Sequence, residues 1–121
     1  MAEKKTLVLG ASINPERYSN RAIKSLRRQG HPVFAIGARE GIVDDVNIIT
    51  KKTMFSDIHT VTIYLSPKNQ IEYYNYILTL KPKRIIYNPG AENEELSVLA
   101  GRENIKSLEA CTLVLLATGQ Y

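Results

Sequence analysis

The sequence predicts a three-layer α/β fold, with an open, mostly parallel five-stranded sheet and helices on both faces. Three observations predict it. Short apolar runs alternate with helix-period segments from one end of the chain to the other. The runs lack the in–out alternation of a sheet with one wet face. Thr6-Leu7-Val8-Leu9 is the first, and such a run suits a strand covered on both sides. A strand, a helix and a second strand then follow one another between Thr6 and Ile36. That spacing makes a βαβ unit, whose crossover is right-handed.

The elements follow in order. The first strand closes at Gly10. A helix from about Ser19 to Gln29 places Ala22, Ile23 and Leu26 on its inner stripe, with Ser19 to cap it and Gly30 to end it. Pro32-Val33-Phe34-Ala35-Ile36 is the second strand, stopped by Gly37. Ala38 to Asp57 is irregular and reads as loop with at most a short strand or one helical turn. Thr60 to Leu65 is the third strand. Ser66-Pro67 opens a helix with proline at its first position, running to about Leu80 and ended by Pro82. Arg84-Ile85-Ile86-Tyr87 is the fourth strand, followed by the turn Asn88-Pro89-Gly90. A helix from Glu92 to about Arg102 carries acids in its first turn, where they complement the helix dipole. Ser107-Leu108-Glu109 is a weak fifth strand, and Cys111 to Ala117 a short apolar helix.

The 121 residues suit one domain, residues 1–121, able to bury a core without disulfides or a structural metal. A single cysteine, Cys111, excludes an internal disulfide framework and fits a reducing compartment. No apolar run reaches the roughly 20 residues of a membrane span. The start lacks a signal-peptide layout. Together these predict a soluble, cytoplasmic protein. Sixteen Lys and Arg against twelve Asp and Glu leave a modest positive balance, which suits an anionic ligand or simply a solvated mixed-charge surface. The basic residues are scattered. No basic helix, zinc-finger spacing or aromatic RNA-binding strand accompanies them, so no nucleic-acid partner is expected.

In such sheets ligands bind beyond the carboxyl ends of the strands, where strand order reverses. Gly10 to Tyr18, Ile36 to Arg39 and Tyr64 to Pro67 meet there, with Asn88 to Gly90 beside them. Gly10-Ala11-Ser12 lets the backbone turn after the first strand, and free N–H groups at the following helix start hold a phosphate. Ser12 adds a hydroxyl donor, and Arg17, in the loop before the first helix, is either placed to reach a pyrophosphate or a plain surface charge. The run lacks the full G-x-G-x-x-G fingerprint, because positions 12 and 15 are Ser and Pro. The second strand ends in Ile36-Gly37-Ala38-Arg39, where NAD enzymes carry an acid for the ribose hydroxyls. Arg39 instead suits a ribose phosphate, as in NADP or coenzyme A, or is a solvated loop charge; either way NAD is disfavoured. No catalytic set is visible. Ser12 sits outside a nucleophile elbow. His31 and His59 each precede a strand and belong at the far end of the sheet. Cys111 has no metal-ligand companion and reads as a buried structural cysteine.

Val8-Leu9-Gly10-Ala11-Ser12, Asn14-Pro15-Glu16-Arg17, Tyr64-Leu65-Ser66-Pro67, the stretch from Asn88 to Glu95 and Glu109-Ala110-Cys111 together resemble the small stand-alone CoA-binding domain proteins. These are similar to the amino-terminal domain of the succinyl-CoA synthetase alpha subunit. The resemblance spans almost the whole chain. It implies a Rossmann-like fold and a coenzyme A site, with phosphates at Gly10, Ser12 and Arg17. It implies nucleotide and pantetheine contacts near Ile36, Gly37, Arg39, Ser66, Pro67 and Asn88. One difference is that the family often has Asn-Pro where this chain has Ile36-Gly37. The catalytic histidine of the synthetase belongs to a further domain, so ligase activity does not carry over.

Three readings remain open at this stage. The first is a coenzyme A-binding module without catalytic activity, acting as carrier, sensor or regulatory subunit. The second is an NADP-linked oxidoreductase. The third, motivated by Ile36-Gly37, is an interaction protein that keeps the fold without the ligand. The segment from Ser66 to Leu80 carries more apolar and aromatic residues than one stripe uses, among them Ile71, Tyr73, Tyr74 and Tyr76. This predicts a homo-oligomer interface.

Overall fold

The computed structural model describes residues 2–121. Strand β1 (Thr6–Ala11) lies inside the sheet. Leu7 and Leu9 join the core on one face and Val8 the core on the other, all fully buried. This is the two-residue period of a strand covered twice. Helix α1 (Tyr18–Arg28) follows, with Ala22, Ile23 and Leu26 inward. It starts one residue before the expected Ser19. Ser19 is buried within the first turn, and Arg17 occupies the cap position without a side-chain cap. The helix ends in a Schellman turn, with His31 N–H donating to Leu26 O and Gly30 N–H to Arg27 O. Gly30 takes a positive φ of 83°, which glycine adopts without strain.

After β2 (Val33–Gly37) the structure departs from the expected loop. Gly41–Val43 is strand β3 and Val46–Ile49 strand β4, paired as an antiparallel hairpin. Val43 faces Val46 across a two-residue Asp44-Asp45 turn, and Asp44 has φ 52°. Aspartate tolerates this left-handed geometry, so the pair does the work of the more familiar Asn-Gly. Strand β4 runs parallel to β2. Strands β5 (Thr60–Ile63), β6 (Arg84–Tyr87) and β7 (Lys106–Glu109) complete a seven-stranded sheet among the described residues, in the order β3-β4-β2-β1-β5-β6-β7. The five expected strands are all present, and the hairpin extends one edge.

The helix expected over Ser66 to Leu80 is broken. It comprises α2 (Pro67–Gln70), a 3-10 turn (Ile71–Tyr73) and α3 (Tyr74–Leu80), closed by Lys81 at φ 50° before Pro82. Helix α4 (Glu94–Arg102) starts two residues after Glu92, because Asn93 Oδ1 accepts from Leu96 N–H and sets the cap. Helix α5 (Thr112–Ala117) follows β7. Ile77, Leu80, Leu96 and Ala100, from α3 and α4, pack on the face of Leu7, Leu9, Val61 and Ile85. Ile23, Leu26 and Leu116, from α1 and α5, pack on the face of Val8, Ala35 and Ile86. The result is the Rossmann-like three-layer arrangement. No helix of the described residues is long and apolar enough to cross a membrane.

Candidate functional site

The chain leaves β1 in one direction to form β2 and later returns on its other side as β5, so strand order reverses at β1. A cleft of about 630 Å³ opens there, beyond the carboxyl ends of β1 and β5. That size falls within the roughly 300–1,000 Å³ of small-molecule and cofactor sites.

Its floor depends on two glycines. Leu9 pairs with Ile36 but Ala11 with Gly37, so Gly10 is the extra residue of a bulge. Its φ is 87°, and a β-carbon there would lie 2.8 Å from Tyr64 O. Gly37 admits no side chain either, since a β-carbon would fall 2.2 Å from Ala11 O. At the Ile36-Gly37 end of β2, Gly37 is required by packing. It lets the end of β2 press against the bulge of β1.

The loop between β1 and α1 braces itself. Ser12 Oγ accepts from Asn14 N–H at 3.1 Å, Asn14 Oδ1 accepts from Glu16 N–H at 3.0 Å, and Asn14 O accepts from Arg17 N–H at 3.0 Å. Asn20, buried in α1, donates its Nδ2 to Ser12 O at 2.9 Å. The Ser12 hydroxyl therefore keeps its proton free to donate into the cleft. With no side-chain cap on α1, the N–H groups of Tyr18 and Ser19 are left to a ligand or to water.

Of the residues singled out from sequence, Gly10, Ala11, Ser12, Arg17, Arg39 and Ser66 line the cleft. Ile36 does not, because it is fully buried in the core, and Gly37 lies beneath the bulge. Pro67 starts α2 just outside. Asn88 is a brace rather than a lining residue. It is 2% exposed, donates to Thr62 Oγ1 and Ile63 O, and accepts from Thr112 N–H. Arg17 and Arg39 are exposed, and neither forms an ion pair with a described residue. Among the described residues, no Asp, Glu, His or Cys lines the cleft.

Sequence reasoning brings the segment Gly10 to Tyr18 here without singling out Ile13 or Tyr18, both of which line the cleft. It likewise brings Tyr64 to Pro67 here without giving a role to Tyr64, whose hydroxyl is buried without a hydrogen-bond partner among the described residues. Burial pushes that phenol well above its ordinary range, so it stays a neutral donor. His31 lies at the amino end of the strands, as its position before β2 implies, with Nδ1 accepting from Lys4 N–H at 3.0 Å. Cys111 is half-buried at the start of α5 rather than fully buried.

The sequence from residue 4 to residue 117 matches the CoA binding domain family. A crystal structure of an uncharacterized protein is 43% identical, with a TM-score of 0.97 over 100% of both chains. A hypothetical protein from Pyrococcus horikoshii OT3 is 23% identical, with a TM-score of 0.84 over 93% of this chain and 80% of that one. A dinucleotide-forming acetyl-coenzyme A synthetase 1 from Ca. Korarchaeum cryptofilum, in complex with phosphate and ADP, is 15% identical. Its TM-score is 0.72 over 89% of this chain and 26% of that one. The last two likenesses concern the fold alone. No curated protein matches the chain. With its family match spanning nearly the whole sequence, and a relative alike over its full length, the chain belongs to the CoA-binding domain family.

Proposed function

We propose that this chain is a coenzyme A-binding module without catalytic activity of its own, acting as a carrier, sensor or regulatory component. One observation carries the reading. The cleft at the strand-order switch presents two unpaired arginines, an uncapped helix start and a hydroxyl donor, and no carboxylate. A ligand with several phosphates meets that field. The pyrophosphate lies over Ser12 and the first turn of α1, within reach of Arg17. Arg39 takes the ribose phosphate, which NAD lacks and coenzyme A has. Ser66, the N-cap of α2 on the cleft lining, would meet the pantetheine arm. A cleft lining without histidine, cysteine or carboxylate offers no general base, which supports binding rather than turnover.

Arg39 is shared with the NADP reading, so the test separates the two. Calorimetry with coenzyme A, NADP, NAD and ATP should return coenzyme A as the tightest ligand. Silence toward coenzyme A at millimolar concentration, with clear binding of another member of the panel, rejects the proposal.

A further inference from the structure

Two large apolar side chains stand on the cleft without a role in holding phosphate. Ile13 is 56% exposed and Tyr18 65% exposed, and both belong to the cleft lining. Each is positioned. Ile13 Cγ2 fills the space above Gly41, where a β-carbon would lie 2.3 Å from it. The phosphate loop is thereby packed against the start of the β3–β4 hairpin, with Ala38 and Arg39 also on the lining. Tyr18 is the first residue of α1, and its ring lies 5.4 Å from the Arg21 guanidinium. A cation over an aromatic face orients the ring. Ser19 and Asn20 behind it are buried, so Tyr18 projects outward from the helix start. Exposed apolar surface of this size on a polar anion site is favourably covered by a flat, weakly polar ring.

We propose that Ile13 and Tyr18 form an apolar lip that takes the adenine base of the ligand, with the base stacked on the Tyr18 ring. This rests on the coenzyme A reading and extends it to the choice of base. The phosphates supply the charge-driven part of the affinity. The lip discriminates a nucleotide from a phosphorylated tail that lacks one. Arg21 acts as a positioning residue for the ring.

The chain has no tryptophan, so Tyr18→Trp introduces a single indole at the lip. Coenzyme A and adenosine 3′,5′-bisphosphate should quench its fluorescence, and phosphopantetheine should not. In calorimetry, Tyr18→Ala should bind coenzyme A about tenfold more weakly than the parent, in line with the worth of one base–aromatic stack. Its binding of phosphopantetheine should be unchanged, and Tyr18→Phe should behave as the parent, because the ring and not the hydroxyl makes the contact. Tyr18 is exposed, so these variants keep the fold, which circular dichroism checks. A Tyr18→Ala variant that binds coenzyme A as the parent does, or that weakens coenzyme A and phosphopantetheine equally, overturns the lip and leaves the coenzyme A reading standing. A parent protein that binds none of the three ligands overturns both.

Discussion

Gly37 and Arg39 stand two residues apart and do different jobs. A β-carbon on Gly37 would meet Ala11 O at 2.2 Å, and backbone cannot yield as a side-chain tip does. Gly37→Ala should therefore cost about 1–3 kcal/mol of stability, read as a lowered urea midpoint. A midpoint equal to the parent's would mean that β1 and β2 do not need this close approach. Arg39 is exposed and forms no ion pair with a described residue, so Arg39→Ala should leave stability within about 0.5 kcal/mol of the parent's. It should weaken coenzyme A by about 1.5–3 kcal/mol through loss of a charged hydrogen bond. Dephospho-coenzyme A, which lacks the ribose phosphate, should bind almost as before. Equal weakening of both ligands would remove Arg39 from that phosphate. Gly10 is a poorer probe of binding. Its φ of 87° and the 2.8 Å approach of Tyr64 O make Gly10→Val a folding defect before it is a ligand defect.

At the scale of elements, the site is held by polar braces rather than by the cleft lining itself. Asn88 ties the end of β6 to β5 through Thr62 and Ile63 O, and to the start of α5 through Thr112 N–H. Thr62 and Thr112 also share a hydrogen bond of 2.8 Å, with both side chains fully buried. Asn88→Leu keeps most of the volume and takes away the partner of Ile63 O and of Thr112 N–H in the interior. It should cost about 2–3 kcal/mol in chemical denaturation. A loss below about 0.5 kcal/mol, the scatter of a neutral surface change, would show that the brace is dispensable. Gln70 plays a matching part beside α4, donating to Leu65 O and Ala91 O and accepting from Asn93 Nδ2. The tyrosines between Ser66 and Leu80 are absorbed in the same way. Tyr76 is buried with its hydroxyl bonded to Thr53 O, and Tyr74 bonds Glu95 and Asn93. The apolar surplus that suggested an oligomer interface is largely spent inside one chain, and Ile71 is the large apolar residue of that segment left well exposed.

Across the whole molecule, the two histidines and the cleft occupy opposite ends of the sheet. Lys4, Lys83 and Arg84 lie at the amino ends of the strands with His31 and His59. Both imidazoles are held below their ordinary value of 6.5, by burial first and then by neighbouring cations, chiefly Lys4 and Arg84. A base whose folded pKa is depressed binds fewer protons in the native state than in the unfolded chain. Stability is therefore full above about pH 6.5 and falls as the pH drops below it toward the folded values. The unfolding midpoint should stay level above neutrality and decline as the pH falls below about 6.5. His31→Gln should flatten part of that slope, leaving the share of His59. A midpoint that does not change as the pH falls would contradict the burial of His31 and the partial burial of His59.

The sequence by itself determined the periodic part of this protein. Val8 beside Leu7 and Leu9 marked a doubly covered strand, Gly30 marked a helix end, and Gly10-Ala11-Ser12 before Arg17 marked the turn that lines the cleft. Those signals are local, because strand period, glycine φ and helix capping depend on a few neighbouring residues. The resemblance to the CoA-binding family added the ligand class. What only the tertiary structure decided depends on partners distant in the chain. The β3–β4 hairpin is fixed by Ala35 and Ile36 pairing with Ile48 and Ile49, and its Asp44-Asp45 turn carries a weak local signal. Gly37 is explained by Ala11 O, and Asn88 is drawn out of the cleft by Thr62, Ile63 and Thr112. Ile13 and Tyr18 come to the cleft wall only when the bulged end of β1, the first turn of α1 and the start of β3 meet. A one-dimensional pattern records which residues are apolar, charged or flexible, and three-dimensional packing decides which of them are spent on each other and which are left for a ligand.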